Sequence, residues 1–311
     1  MKKYKVAICV VTYYPQKEKL MDTLRSIVNQ RNVDFQIIVS DDGSKENYFE
    51  EVKRYFADIG FVDYKLVALA ENQGTVRNME QAILAANSEY IKDISPGDCL
   101  TRDTILAEWI EHLENSGKLW SFCDAYYYSK NESQSYIFHP CYANPQLVEP
   151  YLRRKDLLCR WNYVVLDDIA LGAAVLCERD LMLRYIKEIT GKVKYAEDNI
   201  YRLLMFDGYV ADYFQKEAVL YEYGSGISTS QNEVWAKRLN DDWEATNSII
   251  LSRPAMEPLQ KRMKRVLEDR QRDRKCVYLF KRLIEKGRIA ITLKRHFNKR
   301  LANCGGCIDC T

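Results

Sequence analysis

Along the first third of the chain, short unbroken runs of apolar residues alternate with stretches in which apolar residues recur at helical spacing. Residues 6–11 are apolar in succession, as expected of a parallel strand buried on both faces. Thr12-Tyr13-Tyr14-Pro15 breaks the run, and residues 19–30 then place Leu20, Leu24, Ile27 and Val28 on one helical face. A second apolar strand over 35–39 ends in Ser40-Asp41-Asp42-Gly43-Ser44. The pattern continues with a helix near 48–56, a strand at 64–69, and the turn Glu71-Asn72-Gln73-Gly74. A helix from about 75 to 86 and a strand at 90–94 complete it. This order predicts an α/β fold: a mainly parallel sheet, flanked by helices and wound with right-handed crossovers.

Open parallel sheets bind ligands beyond the carboxyl ends of their strands. Thr12-Tyr13, Asp41-Asp42, Asn72 and Ser95-Pro96-Gly97-Asp98 each follow a predicted strand, so four polar clusters converge on one rim. From residue 109 to 151 the pattern loosens and becomes aromatic. Residues 168–177 are again apolar, with Gly172 among them, and Tyr195-Ala196-Glu197-Asp198 precedes a helix bearing Ile200, Leu203, Leu204 and Phe206 on one face. Residues 210–213 and 218–223 read as two closing strands. Beyond Gln231 the chain turns helical and charged.

A length of 311 residues suits one large domain with an extension, or two modest domains. No run of about 18 apolar residues occurs, which excludes a spanning helix. The N-terminal apolar run is too short for a secretory leader, so a cytosolic location is expected. Seven of the ten cysteines are scattered singly, as small core hydrophobes of a reducing compartment are. The formal charge of +2 hides an asymmetry. Residues 253–303 hold 17 Lys and Arg against 5 Asp and Glu, whereas residues 1–252 carry a net charge of −9. An acidic body thus bears a basic tail.

Taken in order, these segments resemble the family-2 glycosyltransferases of GT-A fold. The opening strand into Thr12-Tyr13, the Ser40-Asp41-Asp42-Gly43-Ser44 turn and Asn72-Gln73-Gly74-Thr75-Val76-Arg77-Asn78 are similar to that family's segments. Residues 90–98 stand where the family carries an aspartate-rich metal motif, residues 169–180 resemble its acceptor-side strand, and Glu197-Asp198 its acidic pair. The resemblance implies a body over residues 1–230, with a nucleotide-sugar half (1–100) and an acceptor half (101–230). A basic helical extension with a cysteine-rich tail then occupies 231–311.

The implied chemistry is transfer of a sugar, with inversion, from a nucleotide-sugar donor to an acceptor hydroxyl. A nucleotide diphosphate gains negative charge as it leaves, which a divalent cation and positioned donors stabilise. Asp98 stands at the family's metal position, for Mn2+ or Mg2+. Further family aspartates are replaced by Ser95 and Gly97, so Asp98 is alone in the turn, where it would equally serve as a turn-forming residue. Thr12, Tyr13, Asp42, Asn72, Arg77 and Ser95 are the implied nucleotide contacts. Asp42 would accept from a uracil ring N–H, which favours a UDP-linked donor, and Arg77 would lie near the nucleotide, although a solvated helix-surface arginine reads the same way. Asp198 is the implied general base, with Glu197 orienting it or the acceptor; an acidic helix start also satisfies the helix dipole. No basic residue occupies the segment Tyr223-Gly224-Ser225-Gly226-Ile227-Ser228, leaving Lys237 or Arg238 as stand-ins.

The implied partners are the nucleotide sugar and a saccharide or lipid-linked saccharide acceptor, in surface polysaccharide or glycolipid synthesis. The basic, intermittently apolar stretch over 261–300 suits two readings: a helix lying on the inner face of the cell membrane, or one docked on the acidic body. Nucleic acid is not expected, because no recognition motif accompanies the charge, and the oligomeric state is left open. Cys304, Cys307 and Cys310 suit a soft metal or an oxidisable tail, and His139 a structural or acceptor contact. Two rival functions remain: a non-catalytic sugar-nucleotide or glycan binder, against which the intact Glu197-Asp198 argues, and a nucleotidyltransferase, which lacks its Gly-rich phosphate loop here.

Overall fold

A computed structural model of the protein describes residues 3–130, 136–139, 145–224 and 232–272, with 289, 291, 293 and 294. The chain opens β1 (Tyr4–Thr12), α1 (Lys17–Val28), β2 (Phe35–Asp41), α2 (Phe49–Asp58), β3 (Tyr64–Ala68), α3 (Thr75–Ala85) and β4 (Ser88–Ile94). It continues through β5 (Cys99–Leu100), α4 (Ile105–Ser116), β6 (Trp120–Lys130), β7 (Tyr136–His139), α5 (Glu149–Leu152) and α6 (Asp156–Val165). After a single 3-10 turn at Gly172–Ala174 come β8 (Val175–Glu178) and α7 (Arg179–Ile189), then a second at Glu197–Asn199. The order closes with α8 (Ile200–Asp207), β9 (Asp212–Glu222), α9 (Glu233–Ser252) and α10 (Pro258–Arg272).

Among the described residues the strands form one sheet in the order β3-β2-β1-β4-β8-β6-β9-β5, with β7 beside β6. The first four are parallel, as their apolar runs predict. Beyond β4 the sheet becomes mixed: β8 runs antiparallel to both β4 and β6, whereas β6 and β9 are parallel. Of the residues read as two closing strands, 210–213 and 218–223, those from 212 to 222 belong to one strand, β9. Its exposed Gln215, Lys216 and Glu217 interrupt the apolar pattern, and the β6–β9 register shifts at Cys123, Asp124 and Ala125. A bulge of this kind absorbs extra residues without ending a strand.

Alternate residues of β1 feed two cores. Val6, Ile8 and Val10 pack with α1, α2 and α4, whereas Ala7, Cys9 and Val11 pack with α3, α6, α7 and α8. The second core also takes in Ile249 and Ile250 of α9 and Met263, Val266 and Leu267 of α10. Burying such a stripe is what holds an amphipathic helix in place. Arg270 of α10 pairs with Asp167 at 2.7 Å, and Arg262 lies 4.5 Å from the Trp161 ring centre. Over 258–272, therefore, the helix is docked on the body. Among the described residues no helix is long and apolar enough to cross a membrane. The cysteine tail and the loop at 225–231 lie outside the described residues, as does the side chain of His139.

Candidate active site

The polar clusters do gather at the carboxyl rim of β1, β2, β3 and β4, but they divide into buried and exposed members. Thr12 is buried and donates its hydroxyl to Asp41 Oδ2 at 2.7 Å. Asp41 also accepts from the Ser44 N–H at 2.6 Å and the Ser44 hydroxyl at 2.9 Å. It therefore shapes the turn. Asp42 reaches the next loop, where its two oxygens accept the N–H groups of Gln73 (2.7 Å) and Gly74 (2.8 Å). Burial raises its pKa against those two hydrogen bonds. Gly43 has a φ of +78°, and a Cβ there would lie 2.5 Å from the carbonyl carbon of Glu71. Only glycine lets these two backbones touch. Tyr13, Asn72 and Ser95 are exposed on the same rim. Arg77 is turned along α3, where it pairs with Glu80 at 2.6 Å.

Asp98 faces β9. It is 4% exposed, and its Oδ1 accepts the Glu222 N–H at 2.9 Å. Burial lifts its carboxyl to about 7; that N–H and the buried Lys92 ammonium oppose the rise, and the Glu222 carboxylate adds to it. A Cβ on Gly97 would collide with the Glu222 carboxylate. Glu222 in turn is paired with Lys19 of α1 at 2.7 Å. The turn is held from below by Thr23, whose hydroxyl donates to the Asp98 carbonyl at 2.8 Å, and from above by Tyr128, which donates to the Gly97 carbonyl. In sequence Asp98 stands alone in its turn; the fold adds Glu222 and Lys19 from 124 and 79 positions away. No local pattern announces such partners.

The acidic pair occupies the 3-10 turn Glu197–Asn199 that opens α8, and both carboxylates are partly exposed. Asp93 of β4 joins them. The pleat aims it away from Lys92 and Ile94, onto the core face that holds α8. Its Oδ1 is buried without a hydrogen bond. Asp198 is pushed up to about 6, first by burial and then by Asp93, while the buried Arg202 one turn along α8 opposes the shift. Glu197 rises further, through burial and then the charge of Asp198, with Asp93 and Asp242 adding. Three carboxylates near one another cannot all ionise cheaply. A Cβ at Gly172 would sit 3.3 Å from the Asp198 Cβ, so a glycine lets the 3-10 turn Gly172–Ala174, which stands where the sequence suggested continuous strand, lie against the carboxylate.

What fixes this turn is Asp242 of α9. Its carboxylate, in a residue 6% exposed, accepts the N–H groups of Lys194 (2.9 Å), Tyr195 (2.6 Å) and Ala196 (3.0 Å). The Lys194 carbonyl accepts the Val76 N–H at 3.1 Å. Gly74, at φ +94°, makes that approach possible, because a Cβ there would lie 2.5 Å from the Lys194 carbonyl oxygen. A continuous path thus runs from Asp42 through the Gln73-Gly74 loop to Lys194, and on to the acidic pair. Helical spacing held a signal for Asp242, which stands at i to Thr246, Ile249 and Ile250 at i+4, i+7 and i+8. Of the cationic stand-ins, Lys237 pairs with Asp241 at 2.8 Å, and Arg238 lies 4.7 Å from the Trp235 ring centre. Trp120, Phe122, Trp161 and Tyr163 are core residues.

The model of the glycosyl transferase family 2 matches residues 8–177, more than half of the chain. The poly-beta-1,6-N-acetyl-D-glucosamine synthase of Staphylococcus epidermidis is 29% identical over 111 residues, or 34% of this chain and 25% of the synthase. The chain spans no more than a third of the length of the curated relatives it matches. S. aureus TarS, in a crystal structure with UDP-GlcNAc, superposes with a TM-score of 0.60 at 14% identity, covering 96% of this chain and 81% of that one. A mannosyltransferase of Pyrobaculum calidifontis, solved with GDP-Man and Mn2+, gives a TM-score of 0.60 at 12% identity, covering 97% and 87%. Both share the GT-A architecture. With the family match running from β1 to β8, over more than half of its length, the chain belongs to glycosyl transferase family 2.

Proposed function

We propose that this chain is an inverting transferase that moves a sugar from a UDP-linked donor to a hydroxyl of a saccharide or lipid-linked saccharide, in surface polysaccharide or glycolipid synthesis. The observation that carries the reading is the acidic cluster on the rim: Glu197 and Asp198, backed by Asp93, set against Gly172 and clamped by Asp242. Asp198 takes the proton of the acceptor hydroxyl as its oxygen attacks the anomeric carbon. The bond to the nucleotide breaks on the opposite face, and its electron pair leaves with the diphosphate. One base and one displacement need no covalent intermediate. A pKa near 6 suits the task, since the carboxylate is ionised at neutral pH yet more basic than an ordinary aspartate.

The nucleotide would lie across the β1 and β2 ends, against Tyr13, Asn72 and Ser95, with Thr12 and Asp42 shaping the floor and Arg77 beside it. A divalent cation of oxygen preference would have few protein ligands at the Asp98 turn, since among the described residues no group of three or more His, Cys, Asp or Glu could hold one. Asp98 and the neighbouring Glu222 would supply carboxylate oxygens, and phosphate oxygens the remainder. Bound there, Mn2+ or Mg2+ would neutralise charge on the departing diphosphate. Relatives in this fold bind UDP-GlcNAc in one case and GDP-Man in another, so the base is the part of the donor most in need of measurement.

The test is acceptor-dependent nucleotide release across a panel of UDP-, GDP- and dTDP-sugars with Mn2+, alongside titration of the free nucleotides. Turnover confined to UDP-sugars is expected. Nucleotide binding without turnover on any acceptor would make the chain a sugar-nucleotide binder instead.

A further inference from the structure

Away from the rim, the α5–α6 corner has an unusual surface. Leu152, Leu157 and Leu158 are 48%, 65% and 42% exposed, although their neighbours Tyr151 and Cys159 are buried in the core. Arg153, Arg154 and Lys155 fall between these leucines, all exposed, and none has an acidic partner among the described residues. The two acids beside them are engaged from elsewhere: Asp156 by Lys118 at 3.0 Å, and Glu149 by Lys294 at 3.8 Å. A groove of about 670 Å3 runs between Glu149, Arg153, Lys155 and Leu158. Lys294 also donates to the Gln146 carbonyl at 3.0 Å, and its chain neighbour Leu293 is 64% exposed.

We propose that this corner docks the protein on an anionic membrane surface. Outward leucines among cations with no acidic partner in the described residues fit the boundary between headgroups and acyl chains, where the apolar side chains sink and the charges meet lipid phosphates. Single exposed leucines are ordinary, but several gathered in one patch call for a partner. Among the described residues the basic tail meets this corner through Lys294, on Glu149 and Gln146, but it does not complement Arg153, Arg154 and Lys155, since residues 273–300 hold ten Lys and Arg against two Asp and Glu. Like charges would repel. A lipid surface accepts both. Docking here would also orient the catalytic body: Arg160 of α6 donates to the Met205 and Phe206 carbonyls at 2.9 and 2.8 Å, at the end of α8 remote from Asp198. Eight residues of helix separate that anchor from the acidic pair by about 12 Å. The inference stands apart from the transferase reading, because vesicle binding is measured without turnover.

The experiment is co-sedimentation of the full chain with vesicles of 30% phosphatidylglycerol in phosphatidylcholine, and with phosphatidylcholine alone. The parent is expected to bind the anionic vesicles and to be released by salt. Each basic residue near such a surface is worth about fivefold in partitioning, so the double variant R153E/R154E should bind at least about tenfold more weakly. L157S should also weaken binding, and both variants should unfold at the parent's temperature, since their side chains are exposed. Equal binding to neutral vesicles, no binding by the parent, or undiminished binding by R153E/R154E would overturn the proposal. So would loss of binding only on reversing Arg295 and Lys299 in the tail, or conversion of a parent dimer to monomer by R153E/R154E, which would make the corner a contact between copies.

Discussion

Replacing Asp242 with Asn isolates the clamp beneath the acidic pair with little change of volume. The carboxylate accepts three backbone N–H groups at 2.6–3.0 Å from a residue 6% exposed. Hydrogen bonds to a charged acceptor contribute about 1.5–3 kcal/mol each. An asparagine can present its one oxygen to Tyr195 and Ala196, which share Oδ2, but its amide then opposes the Lys194 N–H. One bond is lost and two lose their ionic character, a cost of about 2–4 kcal/mol. For a chain of this size that corresponds to a fall of about 3–6 °C in the unfolding midpoint. Displacing a catalytic group by about 1 Å costs on the order of a hundredfold in rate, so kcat should fall by about that factor. The donor KM should hold within about twofold, because Asp42 fixes the Gln73-Gly74 loop from the other side. Thermal unfolding and steady-state kinetics on the same preparation decide the matter. A lowered midpoint with unchanged kcat would show that the clamp stabilises the fold without positioning the pair.

The remaining predictions concern the carboxylates and one glycine. The rate should rise through an apparent pKa near 6 and level off above it, because Asp198 must be ionised to act; a profile without an acid limb would remove it from that role. Its folded pKa lies above the unfolded value, so the native state binds the extra proton. Relative to Asp198→Asn the parent should therefore lose about 2–3 kcal/mol of stability as pH rises from about 4 to about 6, measured by chemical denaturation at each pH. At Gly172, alanine would press on the Asp198 Cβ from 3.3 Å. A shift of a few tenths of an ångström should lower kcat by about threefold to tenfold with little change in donor KM, and a fully active Gly172→Ala would show that the contact is slack. Asp98→Asn keeps an acceptor for the Glu222 N–H but loses the charge, so calorimetry should show Mn2+-dependent nucleotide binding weakened by at least about tenfold with folding intact; unchanged binding would remove Asp98 from any metal role.

Much of the first half was legible in sequence because β1 and β2 are buried along almost their whole length and read as apolar runs. The helices between them bury one face, so α1, α2 and α3 lie where periodicity puts them. The second half was harder. In β9 the exposed Gln215, Lys216 and Glu217 imitate a turn, and in α6 nearly every residue from Cys159 onward is buried, which erases the helical stripe. At the candidate site, the placement of residues that belong to a strand end or a turn was legible locally: Thr12, Asp42, Glu197 and Asp198 lie at the ends and turns where the sequence puts them. Residues whose meaning depends on a distant partner could not. Asp93 is ambiguous until the pleat turns it toward α8, Glu222 until β9 crosses the Gly97 turn, and Asp242 until α9 packs behind residues 194–196.

The central claim is that Asp198 is the base of a transfer reaction, and a single-turnover measurement tests it most directly. Parent and Asp198→Asn would be loaded with saturating donor sugar and Mn2+, mixed with acceptor, and followed for nucleotide release. General base catalysis is worth about 10²- to 10⁴-fold, so the variant should be slower by that range while its donor Kd stays within about twofold of the parent's. Turnover by Asp198→Asn within about threefold of the parent, at equal donor occupancy, would contradict the account.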